Sequence, residues 1–310
     1  MKFVKLENEH IEIVLIPDLG AKMVSLIHKR TGTNFLLQSE NNDVDIPEFG
    51  APFDIQSAYG FDECFPTVER CKYNVGNNNV KLPDHGEVWS RKWSCMREDD
   101  ALLLSIHGVN IDYYFEKKIR LVESGIVITY TLRNLSEIPF YYIWSAHPLL
   151  KVQQNDRIIL PEEVQELLVN WSSDASLGIY GDRISWPLLQ REHETIDLSA
   201  VQSQNENLAV KLFSDKLRQG KAALYKEKTD ESLYFRFNTD SIPYLGIWLC
   251  YGGWPENREK GSYTIALEPA TGRPDALSSA IQHNEASYIE GDQEHCWNHT
   301  VQCVQGKVSI

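Results

Sequence analysis

The chain is short of positive charge: 30 Lys and Arg stand against 44 Asp and Glu over 310 residues, a formal net charge of −14. Tracking a phosphate backbone needs clustered Lys and Arg, and an acidic lipid surface would repel this balance in the same way. Neither nucleic acid nor a membrane is therefore an expected partner. Long apolar runs are missing as well. Stretches such as Ile126–Ile128 and Phe140–Trp144 fall far short of the roughly 20 residues that span a bilayer. There is no G-x-S-x-G elbow, no P-loop and no G-x-G-x-x-G, so nucleophile-elbow and nucleotide-cradling chemistry lack their usual starting points. The six cysteines (Cys64, Cys71, Cys95, Cys250, Cys296 and Cys303) form no C-x-x-C pair and read as reduced thiols of a cytosolic protein. Met1-Lys2-Phe3-Val4-Lys5-Leu6-Glu7 becomes charged before an apolar signal core can form, and a cytoplasmic location is the expectation.

What is present is ordinary globular material, 42% hydrophobic and 24% charged, enough to build a core. Length alone would allow two domains, yet all-β domains routinely reach about 200–250 residues. No linker, repeat or low-complexity segment divides the chain, so one domain over 1–310 is expected. Its periodicity is overwhelmingly two. His10–Ile16, Met23–Ile27, Ala101–Ile106, Asp112–Leu121 and Gly125–Asn134 alternate and are joined by polar turns. Phe140–His147, Leu208–Phe213, Ala222–Lys226, Ser232–Asn238, Tyr244–Tyr251 and Ser262–Glu268 continue the ladder. Strands this rich in Val, Ile, Tyr, Phe and Trp describe a large all-β sandwich of two antiparallel sheets. One short helix is expected at Pro274–Gln282, with Pro near its start and Asp275 in its first turn. The irregular stretch from about Ser39 to Asp62 is long enough to suggest a functional loop.

Three polar residues stand where such a scaffold presents reactive groups. In Tyr263-Thr264-Ile265-Ala266-Leu267-Glu268-Pro269, alternation puts Glu268 on a face with the small Thr264 and Ala266, and Pro269 is expected to stop the ladder. The same pattern fits a solvated Glu at a sheet margin. His147 closes Tyr141–His147 ahead of Pro148, and its imidazole can exist in both protonation states near neutrality. It could equally be a core histidine bonded to backbone. His85 lies in the turn Leu82-Pro83-Asp84-His85-Gly86-Glu87, poised over whatever lies beneath or simply exposed. Trp89, Trp144, Trp248 and Trp254 recur nearby, and indole faces suit the C–H faces of sugars, though most tryptophans of a sandwich are core.

A metal set is not expected. His295-Cys296 with His299 and Cys303 looks like one, but the alternation of Trp297–Val304 makes it a strand. His295 and Cys303 then stand about 26 Å apart at roughly 3.3 Å per residue. Ligands of one zinc lie about 2.0–2.3 Å from it.

Leu82–Trp89 (LPDHGEVW), Ile143–Leu150 (IWSAHPLL) and Ile265–Leu277 (IALEPATGRPDAL) together resemble the aldose 1-epimerase (galactose mutarotase-like) superfamily in order and spacing. Gly60–Thr67 resembles its less characterised bacterial branches more than the galactose enzymes. The resemblance implies cofactor-free, metal-free interconversion of the α and β anomers of an aldose, with Glu268 as base, His147 as acid and His85 bonding the sugar near its ring oxygen. Where galactose-specific members carry an early sugar-contacting arginine, this chain offers Asp62 and Glu63. For their sugar-contacting Asp the candidate is Asp215. Arg273, with Arg70 and Arg91, supplies the cations should a phosphate need holding, and Trp248 is a stacking surface. The implied partner is a small-molecule sugar, with the chain a monomer or homodimer. A non-catalytic carbohydrate-binding protein is the alternative, needing only the aromatics and a polar rim. A glycosidase wants two carboxylates about 5–9.5 Å apart, and only Glu268 is well placed for that.

Overall fold

The computed structural model describes residues 1–39, 45–54, 56–190, 194–256 and 261–310. The alternating segments form two large antiparallel sheets, one of 11 strands and one of 8. Across the larger sheet the order includes Phe61–Cys64, Ser145–Lys151, Tyr263–Ala270, Tyr244–Tyr251, Leu208–Phe213 and Glu166–Ser172 as successive neighbours. In the smaller sheet Gly125–Asn134 lies between Tyr113–Val122 and Glu294–Gln305. The all-β sandwich read from the sequence is the observed fold.

Period two decides which residues enter the core. Ile247, Leu249, Ile265, Leu267, Val210 and Leu212 from the larger sheet share one fully buried cluster with Phe115, Ile119, Ile128 and Tyr130 from the smaller. Truncating one of these aliphatics to Ala would cost about 2–5 kcal/mol. The alternate residues of the same large-sheet strands, Glu268, Trp248 and Lys211 among them, point the other way. They face a layer of loops instead of the second sheet.

Three local expectations are corrected. The strand read as Phe140–His147 divides into Phe140–Tyr142 and Ser145–Lys151. Between them Ile143 N–H donates to the Pro66 carbonyl and Trp144 N–H to Thr271 Oγ1, which takes both out of the ladder. His147 is therefore mid-strand, and the strand runs through Pro148. Likewise Tyr263–Ala270 runs through Pro269. Pairing between these two strands passes directly from Ser145–Ala270 to Leu149–Ala266. A proline has no N–H for a ladder, and each here sits in the unpaired interval while the strand on its far side keeps its register. The helix begins at Leu277, not Pro274. Asp275 lies before it because its carbonyl accepts the N–H groups of Val68 and Glu69. Among the described residues no helix is long and apolar enough to cross a membrane.

Candidate active site

The two prolines set the centre of the site. Continuing the register through the unpaired interval puts His147 opposite Glu268, both on the loop-facing side of the sheet. Glu268 pairs on its other side with Gly246. A Cβ there would lie 3.2 Å from Phe213 and 3.3 Å from Glu268 itself, so glycine leaves the carboxylate room to lean across. It leans to Lys211, whose ammonium ion-pairs with Glu268 Oε2. The other oxygen, Oε1, is buried without a hydrogen-bond partner. Burial opposes ionisation of this carboxyl, but Lys211 and the nearby imidazoles outweigh it and hold it below the usual range.

His147 is held from behind. Its Nδ1 lies 2.9 Å from Asp62 Oδ1, and the second Asp62 oxygen lies 3.0 Å from Lys22 Nζ. Burial opposes the Asp62 charge, yet Lys22 and His147 prevail and bring its carboxyl to about 2. With Nδ1 committed, Nε2 is the nitrogen left for a ligand. His85 occupies the tip of its turn at φ +57°, and Gly86 follows at φ +77°, where a Cβ would strike the Phe65 carbonyl at 2.1 Å. The turn is pinned by Trp89, whose indole N–H donates to the Asp84 carbonyl at 2.9 Å. His85 Nδ1 faces Asp84 Oδ1 at 3.1 Å, and Phe53 stacks on its ring at 4.1 Å. Burial pushes the His85 imidazole down, against the pull of Asp84. The two imidazole rings are 5.1 Å apart.

Glu268, His147 and His85 line one cavity of about 560 Å³, with Phe53, Leu149, Trp171, Trp248 and Trp254 among its walls. Three side chains that widely separated segments of the sequence supply thus meet in one place. Two further charged groups come with them. Lys211 rises from the Leu208–Phe213 strand, and Asp275 reaches in from the segment before the helix. Asp275 Oδ2 accepts from Asn170 Nδ2 at 2.9 Å, and Oδ1 lies 3.8 Å from Lys211 Nζ with no hydrogen bond of its own. Burial raises the Asp275 carboxyl, Lys211 opposes the rise and Glu268 adds to it, leaving it at about 6. The sequence offered a sign of Lys211, a lone cation inside the apolar strand Leu208-Ala209-Val210-Lys211-Leu212-Phe213. Asp275 was legible only as a helix-start residue.

The structure keeps four other candidates out of the cavity wall. Asp62 is buried behind His147. Glu63, its neighbour, points by alternation to the opposite face, where Oε2 meets Lys117 Nζ at 2.7 Å and Oε1 accepts from the Tyr130 hydroxyl at 3.0 Å. Asp215 lies at the surface between Arg183 and Arg273. Arg273 spends its guanidinium on Asp215, Glu285 and the Ser214 carbonyl. Nor do Arg70 and Arg91 line the cavity. Trp248 does.

For a metal, the cavity-lining His85 and His147 and the fully buried Cys64, which does not line the cavity, each offer one ligand-type atom within 4.8 Å of the others. Burial pushes the Cys64 thiol well up, and His147 Nδ1 is engaged by Asp62. His295 and Cys303 lie on one strand, as read, and His295 Nδ1 is bonded instead to the Tyr142 hydroxyl at 3.0 Å.

A family model described as a domain of unknown function (DUF5107) matches residues 1–53. No curated protein sequence matches the chain. Solved structures do. The Slr1438 protein from Synechocystis sp. PCC 6803 is 15% identical with a TM-score of 0.73, covering 98% of this chain and 96% of its own. A galactose mutarotase related enzyme from Lactobacillus acidophilus is 16% identical with a TM-score of 0.70, covering 100% of both chains. An aldose epimerase homologue from C. elegans is 12% identical with a TM-score of 0.67, covering 99% of both. At this identity the likeness speaks for architecture, and it extends over the whole chain: the protein has the galactose mutarotase-like fold.

Proposed function

We propose that the protein is an aldose 1-epimerase, interconverting the α and β anomers of a sugar by opening and reclosing its ring. The observation that carries this reading is the pairing of an ionised, half-satisfied carboxylate with an oriented imidazole in one cavity. Anomer exchange needs a proton taken from the C1 hydroxyl and one delivered to the ring oxygen. Glu268 Oε1, buried without a partner, is the base. His147, presenting Nε2, is the acid, and each transfer is worth about 10²–10⁴-fold. Ring opening gives the aldehyde, the C1–C2 bond rotates, and closure on either face returns both protons. His85 hydrogen-bonds near the ring oxygen and positions the sugar. Lys211 holds one carboxylate oxygen so that the other is aimed.

Asp275 is a second carboxylate in the cavity, but it shares the Lys211 ammonium with Glu268. A glycosidase places its two carboxylates on either side of the scissile bond. Polarimetry or NMR exchange on freshly dissolved aldoses tests the reading, and protein-dependent acceleration of anomer equilibration is expected. No acceleration across a broad sugar panel would leave a carbohydrate-binding protein in its place.

A further inference from the structure

The cavity is larger than anomer exchange on one ring requires. A twelve-heavy-atom hexose fills roughly 200 Å³ at the packing density of organic crystals, against about 560 Å³ here. Part of its wall is built of indoles, those of Trp171, Trp248 and Trp254. Leu149, Ala266, Trp248, Lys211 and Trp171 pair in succession across five strands, forming a row parallel to the one that holds His147 and Glu268. Two residues along a strand put that row about 6.6 Å from the Glu268 row, and Trp171, three strands over, stands about 14 Å to the side.

Trp171 reaches the cavity through a bulge. Val169 pairs with Leu212 and Trp171 with Lys211, so Asn170 is an extra residue and both it and Trp171 turn inward. Trp171 and Trp248 have ring centroids 5.7 Å apart, and Trp254 stands nearly perpendicular to Trp248 at 6.3 Å. All three indoles are half-buried, each with a surface open to the cavity. Core tryptophans of this protein, such as Trp93 and Trp144, are fully enclosed. Tyr180, 58% exposed, continues the aromatic wall at the rim. One ring seated between His147 and Glu268 does not extend to Trp171.

We propose that the site takes the reducing end of an oligosaccharide, with the terminal ring at Glu268 and His147 and the adjoining ring on the Trp171–Trp248 platform. This rests on the mutarotase reading for the first ring, while the second depends on the indoles alone, whose flat faces match the C–H faces of a pyranose.

The test compares anomer exchange by NMR on glucose and galactose with maltose, cellobiose and lactose, alongside tryptophan-fluorescence titration by the same sugars. For at least one disaccharide, kcat/KM is expected to exceed that of its reducing-end monosaccharide tenfold or more. Trp171→Ala should lower the disaccharide value at least tenfold more than the monosaccharide value, and Trp171→Phe should restore part of it. Monosaccharides turned over as well as every disaccharide, with both falling equally in Trp171→Ala, would overturn the proposal. If no aldose is turned over, the mutarotase reading fails and the titration decides. Quenching by a disaccharide that Trp171→Ala abolishes would still support the platform, and its absence would overturn it. Should Trp171→Ala not fold, Trp254→Ala takes its place with the same expected bias against disaccharides.

Discussion

Two buried carboxylate–lysine pairs sit on opposite faces of the same sheet, and they differ in one respect. Glu63 has both oxygens satisfied, by Lys117 and the Tyr130 hydroxyl, and Lys117 also donates to the Ala21 carbonyl. Glu268 has one oxygen held by Lys211 and one left bare. Burial dominates at Glu63 and raises its carboxyl, whereas at Glu268 the surrounding positive groups hold it down. The first pair is closed and joins two sheets. The second leaves a buried oxygen unpaired on a residue that lines the cavity, which costs stability and, on the proposed function, supplies the base.

The strongest contrast is expected from the isosteric changes. Glu268→Gln should cut anomer exchange by about 10²-fold or more while sugar binding, followed by NMR, persists. Glu63→Gln should leave Lys117 uncompensated and cost about 3–5 kcal/mol in denaturant unfolding. The reverse pattern would show that the two pairs have been given each other's roles. A smaller effect is expected from Lys211→Met. Removing the ammonium lets the Glu268 carboxyl rise, so the acid limb of kcat/KM moves to higher pH, and an unmoved limb would exclude Lys211 as its partner.

Asp275 gives a stability signature. Its carboxyl titrates at about 6 when folded and at about 3.9 in an unfolded chain. The folded state therefore binds the proton more tightly. The associated stability is complete below the unfolded value and is lost as pH rises through about 6. This loss is on the order of 3 kcal/mol, and Asp275→Asn should flatten it between those limits in pH-dependent melting. Smallest of all is Asp215→Asn. Its own carboxylate is exposed, and the buried Arg273 keeps Glu285 and the Ser214 carbonyl, so neither KM nor melting temperature should move much. A large rise in KM would place this residue at the sugar after all.

Much of this was legible in the chain. Alternation located the strands and said which face Glu268 shares with Thr264 and Ala266. The Pro/Asp/Gly turn around His85 showed as a turn, and the order of the two histidines and the glutamate pointed to the superfamily. His147 and Glu268 were misplaced to strand ends because a proline reads as a stop. Here both prolines fall inside one unpaired interval, a pattern only the register between two strands exposes. Asp275 was read as a helix-start residue because backbone bonds to Val68 and Glu69, some 200 positions earlier, are invisible locally.

Period and composition are local properties, so they were enough to specify strands, sheet faces and an acidic, β-rich chain. Which carboxylate stays half-satisfied, which lysine meets it and how a bulge turns Trp171 inward depend on pairings between distant segments. Such pairings follow from which strands lie side by side and in what register, and a side chain's charge and reach acquire their meaning only once those neighbours are in place.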